Sequence, residues 1–414
     1  MTSTSIAAQR QSTDNRIAEL DALRGFALLG ILIANVVAVA ALLTIVGSGE
    51  NLKLIFDAPI DRAVTGTVTA LFLGKFYLLF SFLFGYSFTL QITAAERVGV
   101  SARARLLRRC AALFLIGLAH VFLLWFGDIL TLYAVLCLVL IAMRRVRPIT
   151  AVITGCVLYL AFASLFLLGG DESGGDDLPF LQAQTFHDAY TGSAADTFAA
   201  QLAIAPSFIG FIWLAQGVTA LALFLLGMAA GKRRLFERRD TIRRWSPWVM
   251  WIGLGVGLPV AAATLAAEMG WIEMSSALEG IQFLVNPLMT FAYIAVLLRL
   301  AAGKHTSRLV AWLAPAGRMA ASNYIGQSVV FMLIYTGYGL ALVDDIPPAG
   351  LIGIALLTFT AQLAASAWWM RRFAYGPVEG LLRAATNWTA PTWRRRTRTH
   401  DAAAAPCATA NPRD

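Results

Sequence analysis

The stretch from Arg108 to Arg145, RRCAALFLIGLAHVFLLWFGDILTLYAVLCLVLIAMRR, constrains the fold more than any other part of the chain. It is a long apolar run that carries one histidine, His120, and one aspartate, Asp128, between two arginine clusters. Under the positive-inside rule both basic ends belong in the cytoplasm, with the turn at Gly127 and Asp128 on the far side of a membrane. About 34 residues separate Arg109 from Arg144, whereas two passes through a ~30 Å hydrocarbon layer need roughly 40, so the turn is expected to be recessed. On a continuous helix His120 would lie about 12 Å deeper than Asp128. Contact between them would then need the turn to fold back, a bridging water, or an acid from another helix. An ionisable group in hydrocarbon is costly and marks a functional site by default.

The rest of the chain repeats the pattern. Of its 414 residues 58% are hydrophobic and 14% charged, with mean hydropathy +0.68. This predicts an all-α, polytopic membrane bundle, because lipid forces backbone groups to pair within each span. Ten spans are expected, at 22–46, 66–93, 109–126, 129–143, 149–168, 208–230, 247–267, 278–298, 319–340 and 349–370. Loop charges alternate with this count. Arg97 to Arg109, Arg144 to Arg147, Lys232 to Arg244, Lys304 with Arg308, and Arg371 onward are basic. Asp57 with Asp61, the stretch 169–207, Glu268 with Glu273, and Asp344 with Asp345 are acidic. The expected topology is N-in and C-in, in an inner (plasma) membrane.

Three regions follow: a cytoplasmic lead over 1–20, one transmembrane domain over 21–390, and a basic, then disordered tail over 391–414. The lead holds no signal-peptide core, so the first span is read as uncleaved. The external loop 169–207 holds six acids and no Lys or Arg, and reads either as a lid or acceptor-binding segment or as a disordered linker. The lipid bilayer is the expected partner; the net charge of +9 belongs to cytoplasmic loops and tail, which argues against nucleic acid. Cys110, Cys137, Cys156 and Cys407 lack CxxC spacing, and His120 has no histidine partner nearby, so no metal site is expected. The spacings Gly253 with Gly257 and Gly30 with Ala34 read as helix packing. The sequence sets no oligomeric state.

Several further polar residues stand out. Asp21 and Arg24 share a helical face at the cytoplasmic mouth of the first span, as an aspartate-held anion site or as a dipole-matched carboxylate beside a snorkelling arginine. Asn35 lies about 16 Å deeper, where an amide needs a partner. Lys75 is roughly 13 Å inside the second span, too deep for easy snorkelling, and suits a functional charge or an ion pair with a neighbouring acid. The ninth span opens PAGRMAASNYIGQS, placing Arg318, Asn323, Tyr324, Gln327 and Ser328 in its cytoplasmic half as a polar stripe, either pocket lining or interhelical hydrogen bonding.

The segments RIAELDALRGFALLGILIANV, KFYLLFSFLFGYSF, GLAHVFLLWFGDILTLYA, PAGRMAASNYIGQS and FAYGPVEGLLRAATN together resemble the YeiB-like family of bacterial membrane proteins, domain of unknown function 418. That family is grouped with transmembrane acyltransferases, among them the acyltransferase-3 proteins and the lysosomal heparan glucosaminide N-acetyltransferase. The resemblance implies transfer of an acyl group from a cytoplasmic acyl-CoA, a co-substrate rather than a bound cofactor, to a small-molecule or glycan acceptor across the membrane. The acyltransferase-3 proteins resemble the first span in an arginine followed after ten residues by a catalytic histidine; here that position is Asn35 after Arg24. The lysosomal enzyme has an asparagine there and a histidine shortly after it, where this chain is apolar.

The leading expectation is a membrane acyltransferase with His120, Asn35, Lys75 and Asp128 at the catalytic centre. His120 would deprotonate the acceptor and Asn35 would hydrogen-bond the reacting carbonyl. Asp21, Arg24, Arg318, Asn323 and Gln327 would bind the donor. The alternative is a transporter or exporter of a small solute in which Lys75, His120 and Asp128 form a proton or substrate path.

Overall fold

A computed structural model describes residues 3–46, 53–168, 183–303 and 307–394. The loop stretch 169–182 and the tail from 395, with their predicted lid and disorder, lie outside the described residues. The chain is an all-α polytopic bundle whose only sheet among these residues is a two-stranded ribbon pairing Ile45 with Leu54 and Val46 with Lys53. Among the described residues eight helical stretches are long and apolar enough to cross a membrane, with residues 59–97 counted as one. Two of the ten expected spans are shorter helices, α5 (Leu130–Met143) and α12 (Ala320–Tyr335).

The first helix, α1 (Ser3–Leu43), begins well before the expected start at 22, within the stretch read as a lead. The second span departs most from expectation. A continuous helix over 66–93 was expected, but α2 (Pro59–Leu71) stops and α3 (Phe76–Arg97) restarts after a turn in which Gly74 has φ +81°. That left-handed backbone suits glycine. A broken helix in a bundle needs its freed carbonyls satisfied. Lys75 Nζ and Gln282 Nε2 both donate to Thr69 O, at 3.1 and 2.9 Å, and Tyr293 Oη donates to Leu71 O at 2.9 Å.

The remaining elements are α4 (Ala102–Leu123), α6 (Pro148–Leu168), α7 (Ala183–Thr191), α8 (Ala194–Lys232), α9 (Arg239–Glu268), α10 (Ser276–Ala302), α11 (Ser307–Arg318), α13 (Pro348–Arg372) and α14 (Pro377–Asn387). Two of them extend into the predicted external loop. α7 lies wholly inside it, and α8 starts there under a capping box in which the Ser193 and Asp196 side chains each take up the other's backbone N–H.

Three contacts involve the basic segments: Arg239 pairs with Glu19 at 3.3 Å, Lys232 Nζ donates to Val146 O, and Arg108 lies over the Trp388 ring. In the acidic segments Arg62 pairs with Asp57 at 2.6 Å and His187 with Asp344 at 2.8 Å. Small residues let helices close on one another without a hydrophobic drive from lipid. A Cβ at Gly253 would meet Leu288 O on α10 at 2.4 Å, and one at Gly257 would meet the Met289 side chain, which bears out the packing reading of that pair.

α14 fixes the start of α12. Glu379 accepts from the backbone N–H of Ala321 at 2.7 Å and of Ser322 at 3.2 Å, and from Ser322 Oγ at 2.6 Å. These are N–H groups that a helix leaves unpaired at its start, and the carboxylate also meets the positive end of the helix dipole.

Candidate functional site

α4 ends at Leu123, and residues 124–129 fold back over its last turn before α5 begins. Leu124 N and Trp125 N both donate to His120 O at 2.9 Å, closing the helix there. His120 Nδ1 and Asp128 Oδ1 therefore lie 3.0 Å apart. The expected 12 Å offset does not occur, because the helix that would have separated the two residues is not continuous. Both side chains are almost wholly buried, at 1% and 0% exposure.

A carboxylate only accepts hydrogen bonds, so the Asp128 contact places a proton on Nδ1 and, in the neutral imidazole, leaves the lone pair on Nε2. Asp128 Oδ2 also accepts from Thr131 N at 2.7 Å, which anchors the carboxylate on the first turn of α5. On the other side of the ring, Ser328 Oγ lies 2.8 Å from His120 Nε2. The Tyr324 ring packs 5.2 Å from the imidazole, and Tyr324 Oη donates to Gly127 O at 3.4 Å. The result is a buried line, Asp128 to His120 to Ser328, built from the α4–α5 hairpin and from α12.

Two cavities flank this line. One, open to the centre of a water-sized molecule over about 20 Å³, is lined by Asn35, Gln327 and Ser328 together with Trp125, Phe331 and aliphatic residues of α1. The other, about 80 Å³, is lined by Asp128, Tyr324 and Gln216, by Gly74 and Phe76 beside the α2–α3 break, and again by Asn35. Asn35 thus borders both. Its amide and the Trp125 indole N–H have no hydrogen-bond partner among the described residues.

The other predicted residues fall in separate places. Arg24 donates to Asp21 at 2.6 Å and to Ser87 Oγ at 2.5 Å, while exposed Arg318 is near enough to act on Asp21 electrostatically. This mouth sits eleven positions before Asn35, about 16 Å along α1. Neither cavity beside the His120 line is bordered by Arg24 or Arg318. Asn323 Nδ2 donates to Ala316 O at 3.1 Å and to Ser366 Oγ at 3.0 Å, and Gln327 Nε2 donates to Gln362 Oε1 at 3.0 Å. The stripe on α12 is thus divided: Asn323 joins α11 and α13, whereas Gln327 also faces a cavity. Lys75 is 1% exposed and bonds Thr69 O, with no carboxylate paired to it among the described residues.

The sequence places Ser328 in the polar stripe of the ninth span with no role of its own, and does not single out Trp125 or Thr131. Ser328 lies 208 positions from His120, and no local pattern links the two.

The segment 230–389 matches the family model described as "Protein of unknown function (DUF418)". The chain is 31% identical over 396 residues to "Uncharacterized protein YxaH" of Bacillus subtilis (strain 168), covering 90% of this chain and 95% of that one. It is 29% identical over 388 residues to "Uncharacterized 39.9 kDa protein in amylase 3'region" of Bacillus acidopullulyticus, covering 90% and 94%. It is also 25% identical over 384 residues to "Uncharacterized protein YeiB" of Escherichia coli (strain K12), covering 89% and 95%.

Proposed function

The chain belongs to the YeiB-like DUF418 family, and from that premise we propose that it is a multi-pass acyltransferase of the bacterial inner membrane with His120 as its general base. The observation that carries this reading is the line Asp128–His120–Ser328 beside a cavity that Asn35 also lines. A base needs its reacting nitrogen unprotonated and aimed at a hydroxyl, and the Asp128 contact sets that tautomer for His120 Nε2. The cavity's lining is mainly apolar with a few convergent polar groups, the character of a ligand site, and its volume of about 20 Å³ must widen to take an acyl chain. The grouping of that family with transmembrane acyltransferases, which the sequence resemblance implies, points to the same reaction class.

In this reading the donor is an acyl-CoA. Its phosphates would meet Arg24, held by Asp21, and Arg318 at the basic mouth. Asn35 lies about 16 Å along α1 from Arg24, within the span of an extended pantetheine arm, and because neither cavity reaches Arg24 or Arg318 the helices must part to admit the donor.

The experiment uses the full chain in nanodiscs, supplied with acetyl-CoA and with palmitoyl-CoA, and measures thiol release. The expected result is release that falls by about 10² to 10⁴ in His120→Ala, the usual worth of a general base, with the protein still monodisperse. Equal release from the two proteins, or solute flux through sealed vesicles with no donor present, overturns the reading.

A further inference from the structure

The nitrogen that would act as base already has a hydroxyl on it. Ser328 Oγ lies 2.8 Å from His120 Nε2, so an external acceptor could reach that lone pair only by displacing the serine. Resting on the acyl-transfer reading above, we propose that Ser328 is a nucleophile and that transfer proceeds through an acyl-serine on α12.

Three features of the site carry this. First, the Ser328 proton is directed at His120. The competing acceptor, Tyr324 O, is 3.5 Å away, at the limit of a useful hydrogen bond, whereas the Nε2 distance is ideal. Second, the imidazole is held by Asp128 on Nδ1 and by the Tyr324 ring, on a backbone that the α4 turn closes at His120 O. A nucleophile, a base and an orienting acid in that order form the arrangement by which an otherwise weak alcohol becomes reactive. Third, Ser328 lines the same cavity as Asn35 and Trp125, two residues whose side-chain N–H groups have no hydrogen-bond partner among the described residues. Donors kept unspent in a water-poor site are suited to the charge that develops on a carbonyl oxygen under attack.

The chemistry balances within these groups. Ser328 Oγ bonds to the thioester carbonyl carbon while His120 Nε2 takes the hydroxyl proton. The tetrahedral adduct collapses as its carbon–sulfur bond breaks, and His120 returns the proton to the departing sulfur, leaving free thiol and an acyl-serine ester. An acceptor hydroxyl then attacks the ester, gives its proton to His120, and Ser328 Oγ leaves, recovering that proton.

The test treats the full chain in nanodiscs with diisopropyl fluorophosphate and locates the adduct by peptide mass spectrometry. The wild-type protein is expected to carry the adduct on Ser328, at a rate reduced by about 10² or more in His120→Ala, and Ser328→Ala is expected to carry none there. Acyl-CoA turnover in the Ser328→Ala, His120→Ala double variant is expected to be no slower than in either single variant, since residues that act as one unit are not additive. A folded wild-type protein unmodified at Ser328, or a labelling rate indifferent to His120→Ala, overturns the proposal. Turnover of acyl-CoA that survives Ser328→Ala also overturns it, and leaves the acyl-transfer reading standing. Labelling of Ser328 that depends on His120, with no turnover of any acyl-CoA, upholds the nucleophile and removes the donor.

Discussion

His120 Nδ1 meets Asp128 Oδ1 at 3.0 Å although the two residues are eight positions apart and the helix carrying His120 ends between them. The contact makes one unit of a hairpin that would otherwise hold two separate costly groups. It also joins two duties in Asp128, whose other oxygen holds the first turn of α5.

Those duties separate in Asp128→Asn. The amide oxygen can still accept from Thr131 N, so the fold is expected to persist, but the amide cannot enforce the same imidazole tautomer. In a serine–histidine–aspartate relay that exchange costs about 10⁴ in kcat, and a loss of roughly 10² to 10⁴ in acyl-CoA turnover is expected here. Turnover and thermal unfolding measured on the same preparation check it; a variant with wild-type turnover would reduce Asp128 to a helix cap.

Gly117 sets how closely α4 approaches the turn. A Cβ there would meet Thr131 N at 2.7 Å, the Thr131 methyl at 2.8 Å and Asp128 Oδ2 at 3.0 Å, and two of these are atoms of the Asp128–Thr131 hydrogen bond. Gly117→Ala is expected to destabilise the protein by about 1–3 kcal/mol, the usual cost of overpacking, and to slow turnover by shifting Asp128. Gly255→Ala, with nothing within 4 Å of the added atom, serves as the control and is expected to leave turnover unchanged. Thermal melts in detergent together with turnover measure both.

Lys75 is placed as a cap on the broken second span. Lys75→Met removes one of the two donors to Thr69 O and leaves Gln282 in place, so a loss of about 1–2 kcal/mol in stability is expected. Turnover per folded molecule is expected to stay within a few-fold of wild type. A collapse of turnover without loss of stability would instead give Lys75 a part in the reaction or in a proton path.

α7 is held from outside by the contact between His187 Nε2 and Asp344 Oδ1, and its Tyr190 ring lies 6.0 Å from Phe126 in the turn that bears Asp128. Because Asp344 is 51% exposed, the pair is worth only about 0–1 kcal/mol. Asp344→Asn is therefore expected to leave the melting temperature nearly unchanged while raising amide hydrogen exchange over Ala183–Thr191. Unaltered exchange would show that α7 is retained by its apolar contacts alone.

The residues of this chain determined its class by themselves. Apolar runs of membrane length predict helices because lipid offers backbone groups no other partner, and His120 and Asp128 stood out because charge in such a run is costly. The five matched segments also placed the chain near its family. Other features followed from tertiary structure alone. The second span looks continuous in hydropathy, yet it breaks at Gly74 and Lys75, where Gln282 and Tyr293 from a distant helix stand ready to take the freed carbonyls. The eight residues from His120 to Asp128 describe a separation only if α4 continues, and packing of the turn onto its own helix decides otherwise. Ser328 reads as one more polar residue in a stripe until α12, positioned by Glu379 of α14, brings it to His120 from 208 positions away. Periodicity and charge are local and can be read along a chain; which hydroxyl meets which imidazole depends on how distant helices pack, and no stretch of the sequence carries that information alone.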